Sequence, residues 1–141
     1  MINGYLLDTH ILIWLLDDDI SLNENIRDDV YYFQNIFYVS IETLREIVIL
    51  QSLKKISFSL TVDKIIADLQ KWQIGVLSTN VDDIKELEKL PILNINGKKH
   101  EDPFDRLLIS QAIAGKHTII SSDSKFPFYK DYGLKLLVNE T

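Results

Sequence analysis

Asp8, Glu46, Asp105 and Asp123 are carboxylates that close or flank apolar runs in a chain of 141 residues. Asp8 follows Tyr5-Leu6-Leu7 and opens Asp8-Thr9-His10-Ile11-Leu12-Ile13-Trp14. Asp123 repeats the arrangement after Ile119-Ile120-Ser121-Ser122. Glu46 runs directly into Ile47-Val48-Ile49-Leu50, and Asp105 ends the segment Asp102-Pro103-Phe104-Asp105. Acids gathered at one place repel one another and hold protons at raised pKa unless a cation compensates them. Mg2+ and Mn2+ are hard ions that prefer oxygen ligands, so carboxylates from separate elements hold them without nitrogen or sulfur. Such an ion activates a water, polarises phosphoryl oxygens and stabilises a leaving oxygen, which is the chemistry of phosphodiester cleavage.

Ordinary roles are open to each of these residues. Glu46 could be a surface acid paired with Arg45 or Lys54. Asp102 reads as an N-cap with Asp105 at the third helical position, where acids suit the helix dipole. Asp123 could be an N-cap or a turn residue. Ser122 beside it offers a hydroxyl to a carboxylate or a metal-bound water, and Arg106 could pair with Asp102 or Asp105. His10 and His100 flank the acidic segments, and structural hydrogen bonding is favoured over metal ligation for both. Lys98, Lys99 and Lys125 are phosphate contacts or ordinary solvated lysines. Trp14 and Trp72 read as core or interface residues, and Asp17-Asp18-Asp19 as a solvated loop.

The elements that must carry these groups follow from periodicity and punctuation. A strand near residues 3–7 leads into a helix from Thr9 to about Leu16, with Leu12, Leu15 and Leu16 at helical spacing. Ser21 is placed to cap a second helix from about Leu22 to Tyr32. Ile36-Phe37-Tyr38-Val39 reads as the second strand. Ser40 caps a helix from Ile41 to about Leu53, and Thr61 one that reaches about Trp72. Gly75-Val76-Leu77 is the third strand, with Asn80 capping a helix to about Leu90. Pro91 to Lys99 reads as loop. Asp102-Pro103 begins a helix, with Pro at its first position, that reaches about Ala114 and stops at Gly115. Thr118-Ile119-Ile120 is the fourth strand, and Leu134 to Val138 the fifth. Strands alternating with helices predict an α/β fold: one domain over 1–141, with a central, mostly parallel sheet flanked by helices on both faces. Ligands of such sheets bind beyond the carboxyl ends of the strands, which is where Asp8 and Asp123 fall.

Composition narrows the function classes. Hydrophobic residues make up 46% and charged residues 26%, which fits a globular domain and not a disordered chain. The absence of cysteine excludes thiolate metal sites and disulfides. Neither a signal peptide nor an apolar run long enough for a membrane span is visible, so a cytoplasmic protein is expected. Fifteen basic against 21 acidic residues give a net charge of −6. Passive nucleic-acid binders are usually basic, so the balance argues against simple binding. It argues less against a metal nuclease, whose cations reverse the local sign.

Four blocks resemble the PIN-domain toxins of VapBC toxin–antitoxin pairs. They are Leu6 to Trp14, Val39 to Ile47, His100 to Ala112 with its Asp-Pro-Phe-Asp-Arg core, and Ile119 to Phe126 with Tyr129 just after. The resemblance implies a Mg2+- or Mn2+-dependent endoribonuclease with the acidic quartet Asp8, Glu46, Asp105 and Asp123. Asp8 and Asp105 would be the most direct ligands and Glu46 a ligand or water-orienting group. Asp123 would act directly or through a metal-bound water. Thr9 and Ser122 would be polar supports, and Arg106 would contact RNA or a neighbouring acid. It also implies a homodimer, and a small antitoxin that silences the active-site groove and brings the toxin to operator DNA. Three departures stand out. Arg45 replaces a common aromatic, Ser122 replaces a common threonine, and Leu50 to Ile56 lacks the usual Lys and Gly.

Two rival readings remain at this level. A phosphotransfer domain, of the receiver or haloacid-dehalogenase type, also places an aspartate at a parallel strand tip. His10, however, stands where the dehalogenase pattern wants a second aspartate. A catalytically silent partner-binding module would have no use for four intact acids.

Overall fold

The computed structural model describes residues 3–140; Met1, Ile2 and Thr141, the ends of the expected 1–141 domain, lie outside them. Five strands form one parallel sheet: β1 (Tyr5–Leu7), β2 (Phe37–Ser40), β3 (Gly75–Leu77), β6 (Thr118–Ser121) and β7 (Lys135–Val138). The order is β3-β2-β1-β6-β7. Successive strands step outward from β1 through β2 to β3, and the chain then returns to the other side of β1. The topological switch point therefore lies between β1 and β6, where open α/β sheets bind ligands.

Consecutive residues of the central strands point to opposite faces, so both faces carry a core. Leu7, Val39 and Ile120 join one hydrophobic cluster and Leu6 and Ile119 the other. The first cluster is completed by α1 (Thr9–Leu16), α2 (Glu24–Tyr31), α3 (Ile41–Ser52) and α4 (Val62–Lys71). The second holds Leu108, Ile109 and Ala112 of α6 (Pro103–Gly115) and Leu90, which ends α5 (Val81–Lys89). Burial on both faces explains why the strands read as continuous apolar runs and not as alternation. Trp14 and Trp72 are partly buried against the first cluster, as expected of core residues.

Most caps stand where the sequence puts them: Ser40, Thr61, Asn80 and Asp102 each accept a backbone N–H of the following helix. Three details differ. The second helix is capped by Asn23 and not Ser21, with Asn25 N and Ile26 N donating to its Oδ1. Ser21 is instead held in a turn, donating its N–H to Asp19 at 2.8 Å. The sixth helix includes Gly115, and Lys116 ends it in the left-handed conformation at φ 56°. A Cβ on Gly115 would come within 2.6 Å of the His117 ring, so this glycine serves close packing. The stretch expected as loop folds back as a small antiparallel hairpin, β4 (Asn94–Ile95) and β5 (Lys98–Lys99). Asn96 and Gly97 form its turn, both at positive φ, and Asn-Gly is the strongest short hairpin signal.

The C-terminal end is tied back by Asn139, whose side chain is 6% exposed. It accepts from Asn23 N at 2.8 Å and donates to Ser21 O at 2.9 Å and Ser122 Oγ at 2.8 Å. Asn139→Ala removes all three bonds and leaves buried groups unpaired, so a loss of about 2 kcal/mol is expected. Urea unfolding checks it: the midpoint falls while the m-value is unchanged.

Candidate active site

The acids meet because of register. Tyr5 pairs with Thr118 and Leu7 with Ile120, so one step further Asp8 lies beside Ser121. Asp8 caps α1: its Oδ1 accepts Ile11 N at 3.1 Å, and its Oδ2 accepts the Ser121 hydroxyl. The same hydroxyl oxygen accepts Asp123 N at 2.9 Å. Ser121 thus fixes two of the acids at once. The hydroxyl of Ser122 donates to Asn139 O at 3.0 Å, so it ties down the C-terminal segment and is not directed at the acids. The sequence reading stops the strand at Ile120. Extending it by one residue changes which serine follows the inward side of the pleat.

Glu46 reaches the same place from the middle of α3. Thr9 donates to its Oε1 at 2.6 Å, whereas Arg45 pairs with Glu42 at 2.8 Å. The guanidinium of Arg45 also lies 4.7 Å above the Phe104 ring. Where an aromatic is common, this chain thus uses a cation stacked on an aromatic to join α3 to the start of α6.

Asp105 occupies the third position of α6. Its N–H donates to the Asp102 cap at 3.0 Å, while its side chain turns to His100. His100 is 5% exposed and has a partner on each nitrogen: Asp105 Oδ2 lies 3.0 Å from Nε2 and the Tyr129 hydroxyl 2.6 Å from Nδ1. When Asp105 is ionised, Nε2–H donates to it and Nδ1 accepts the Tyr129 O–H. Arg106 does not pair with the acids. It donates to Pro91 O and Leu90 O at 3.0 Å each and holds the end of α5. Asp123 accepts Lys125 N at 2.8 Å and pairs with the Lys125 ammonium at 3.0 Å.

All four carboxylates line one cleft of about 190 Å³, together with Thr9, His10, Glu42, Asp102 and Lys125. Burial raises the pKa of Asp8 against the pull of its bonds from Ser121 and Ile11. Burial likewise raises Glu46. Asp105 is pushed up to about 6, by burial first and then by Asp102 and Asp123, against the bond from His100. A raised carboxyl pKa means that the folded state keeps a proton the unfolded chain has released. Without metal, the contribution of these acids to stability therefore falls as pH rises above about 4, and that of Asp105, about 2–3 kcal/mol, is lost by about pH 6. Urea midpoints in metal-free buffer at pH 4.5 and 7 measure the difference.

The donor set fits a hard cation. Carboxylate oxygens dominate the cleft, and the chain has no cysteine. Among the described residues, no three Asp, Glu or His side chains converge closely enough to cage an ion. Mg2+ needs no such cage, because it keeps several waters and takes one or two carboxylates directly.

A family model described as PIN domain matches residues 5–131. The chain belongs to the PIN-domain family. Its fold is similar to VapBC2 from Rickettsia felis, solved bound to a DNA fragment from the promoter. The TM-score is 0.69 at 18% identity, over 96% of this chain and 98% of that one. It is also similar to DNA-bound VapBC from Salmonella typhimurium, with TM-score 0.65 and 14% identity, over 97% and 98%. A search of curated proteins gives no match. Among the described residues, no helix is long and apolar enough to cross a membrane.

Proposed function

We propose that this protein is a Mg2+- or Mn2+-dependent endoribonuclease and the toxin of a type II toxin–antitoxin pair, acting in the cytoplasm as a single PIN-like domain. The observation that carries the reading is the cleft itself. Four carboxylates, two next to strand ends and two on helices, face one space, and burial disfavours the charges of Asp8, Glu46 and Asp105 there. That arrangement is explained by a cation that neutralises them. PIN domains are generally nucleases, which supports the same class of chemistry.

Asp8 and Asp105 would hold the ion directly, with Glu46 and Asp123 as further ligands or as acceptors for metal-bound water. The bound ion supplies a polarised water and charge stabilisation at the phosphate. This chain's residues aim the oxygens: Ser121 orients Asp8, Thr9 orients Glu46, His100 orients Asp105, and the Lys125 ammonium holds Asp123. Outer partners of this kind typically matter 10–100-fold for metal affinity or activity. The two VapBC likenesses, both solved bound to DNA, support a small antitoxin partner that carries the complex to operator DNA; the same reading extends to an antitoxin that covers the cleft and to a homodimer.

The test is cleavage of total cellular RNA with product ends mapped. The expected result is cleavage in Mg2+ or Mn2+, none in EDTA, and products with 5′-phosphate and 3′-hydroxyl ends. Those ends follow from a water attacking phosphorus with the 3′ oxygen leaving. Metal-independent cleavage, or 2′,3′-cyclic phosphate ends, would overturn the mechanism.

A further inference from the structure

Beside the acidic cleft, under the β4–β5 hairpin, runs a groove of about 550 Å³ whose lining includes Lys98, Lys99, Glu101, Asp105 and Lys125. Lys125 is committed to Asp123 at 3.0 Å. Lys98 and Lys99 are exposed, and among the described residues neither forms an ion pair. The groove also carries Glu101, Asp102 and Asp105, so Lys98 and Lys99 are the lysines there that no ion pair occupies, in a chain of net charge −6. A chain of that net charge repels a polyanion overall, so binding one relies on local cations such as these.

The hairpin is also fixed in place. Ile95, paired with Lys98, is 7% exposed and packs in the second core. The turn Asn96-Gly97 adopts the positive φ angles of a tight hairpin. His100 follows Lys99 directly; its N–H donates to Leu93 O at 2.9 Å while its ring holds Asp105. The lysines are therefore coupled through one residue to a carboxylate of the cleft.

We propose that Lys98 and Lys99 form a phosphate-binding ledge, which receives the RNA backbone flanking the scissile phosphate on the Asp105 side. The proposal rests on the nuclease reading. Contacts to phosphate position a strand without reading its bases, so the ledge contributes affinity and register across sequences and leaves the chemical step alone.

The experiment uses a fluorescein-labelled single-stranded RNA of mixed sequence with Ca2+ in place of Mg2+, read by anisotropy over a salt series. In parallel, cleavage of the same RNA is followed in Mg2+. The variant K98A/K99A is expected to bind about tenfold more weakly near physiological salt, with a log K against log salt slope about 1.4 shallower. Its KM rises in cleavage while kcat is kept, and K98R/K99R restores both. K71A/K135A removes two exposed lysines that precede or begin the edge strands β3 and β7, at the strand ends opposite the cleft, and it is expected to bind like wild type. An unchanged slope in K98A/K99A, an equal loss in K71A/K135A, or a wild type that binds no RNA overturns the ledge. A wild type that binds with the stated slope and loses it in K98A/K99A, but does not cleave in Mg2+, supports the ledge and overturns the nuclease reading.

Discussion

Asp8→Asn is expected to lower Mg2+-dependent cleavage by more than about 100-fold, beyond the usual loss of an outer-shell partner, while the metal-free protein becomes more stable. The two effects have one cause. Asp8 is 6% exposed and burial disfavours its charge. Asparagine keeps the helix cap, since its oxygen still accepts Ile11 N. Its amide can donate to Ser121 Oγ, which is free to turn its own proton elsewhere. What is lost is the negative charge, which an ion needs and an empty cleft does not. The melting temperature in EDTA at pH 7 should rise by a few degrees, about 1 kcal/mol. In saturating Mg2+ the order should reverse, because only the wild type gains from binding. An Asp8→Asn protein that still cleaves in Mg2+ at wild-type rate would remove Asp8 from the site.

His100→Ala carries the second large effect. It deprives Asp105 of its donor and leaves the hydroxyl of Tyr129, a fully buried residue, without its histidine partner. The cavity and the two lost hydrogen bonds together cost about 3 kcal/mol. Mn2+ affinity by calorimetry should fall about 10–100-fold, as expected when a carboxylate ligand loses its hydrogen-bond partner. Tyr129→Phe separates the contributions. It spares the bond from His100 to Asp105 but leaves Nδ1 unpaired, so stability drops by about 1 kcal/mol with a smaller change in Mn2+ affinity. If His100→Ala binds Mn2+ as the wild type does, the geometry of α6 alone positions Asp105.

Much of this arrangement was legible in the residues. Strand–helix alternation and apolar runs located the five parallel strands, because burial on both faces leaves an unambiguous pattern. Caps such as Ser40 and Asn80 were readable because short polar side chains before apolar helices have a local job. Placement of the four acids on a common cleft was expected from the family resemblance, and the cleft does contain all four. What escaped was set by register or by distant partners. Whether Ser121 or Ser122 faces Asp8 depends on where β6 ends. The grip of Arg106 on Leu90 and Pro91 depends on a loop fifteen residues away, and no local spacing reveals it. The hairpin was missed although its Asn96-Gly97 turn was in view, because strands of two residues lack the alternation that marks longer ones.

The sheet order has a consequence for the newborn chain. The central strand β1 is made well before its neighbour β6: Ser121 meets Asp8 across a separation of 113 positions. Closing so long a loop cannot precede synthesis of the segment that closes it, and parallel pairing of distant strands is slow even then. On a ribosome adding residues from the N-terminus, residues up to Leu77 can pair β1, β2 and β3 while Asp105 and Asp123 do not yet exist. The complete set of acids forms only once Asp123 has emerged, so a chain that stops before it holds only part of the cleft.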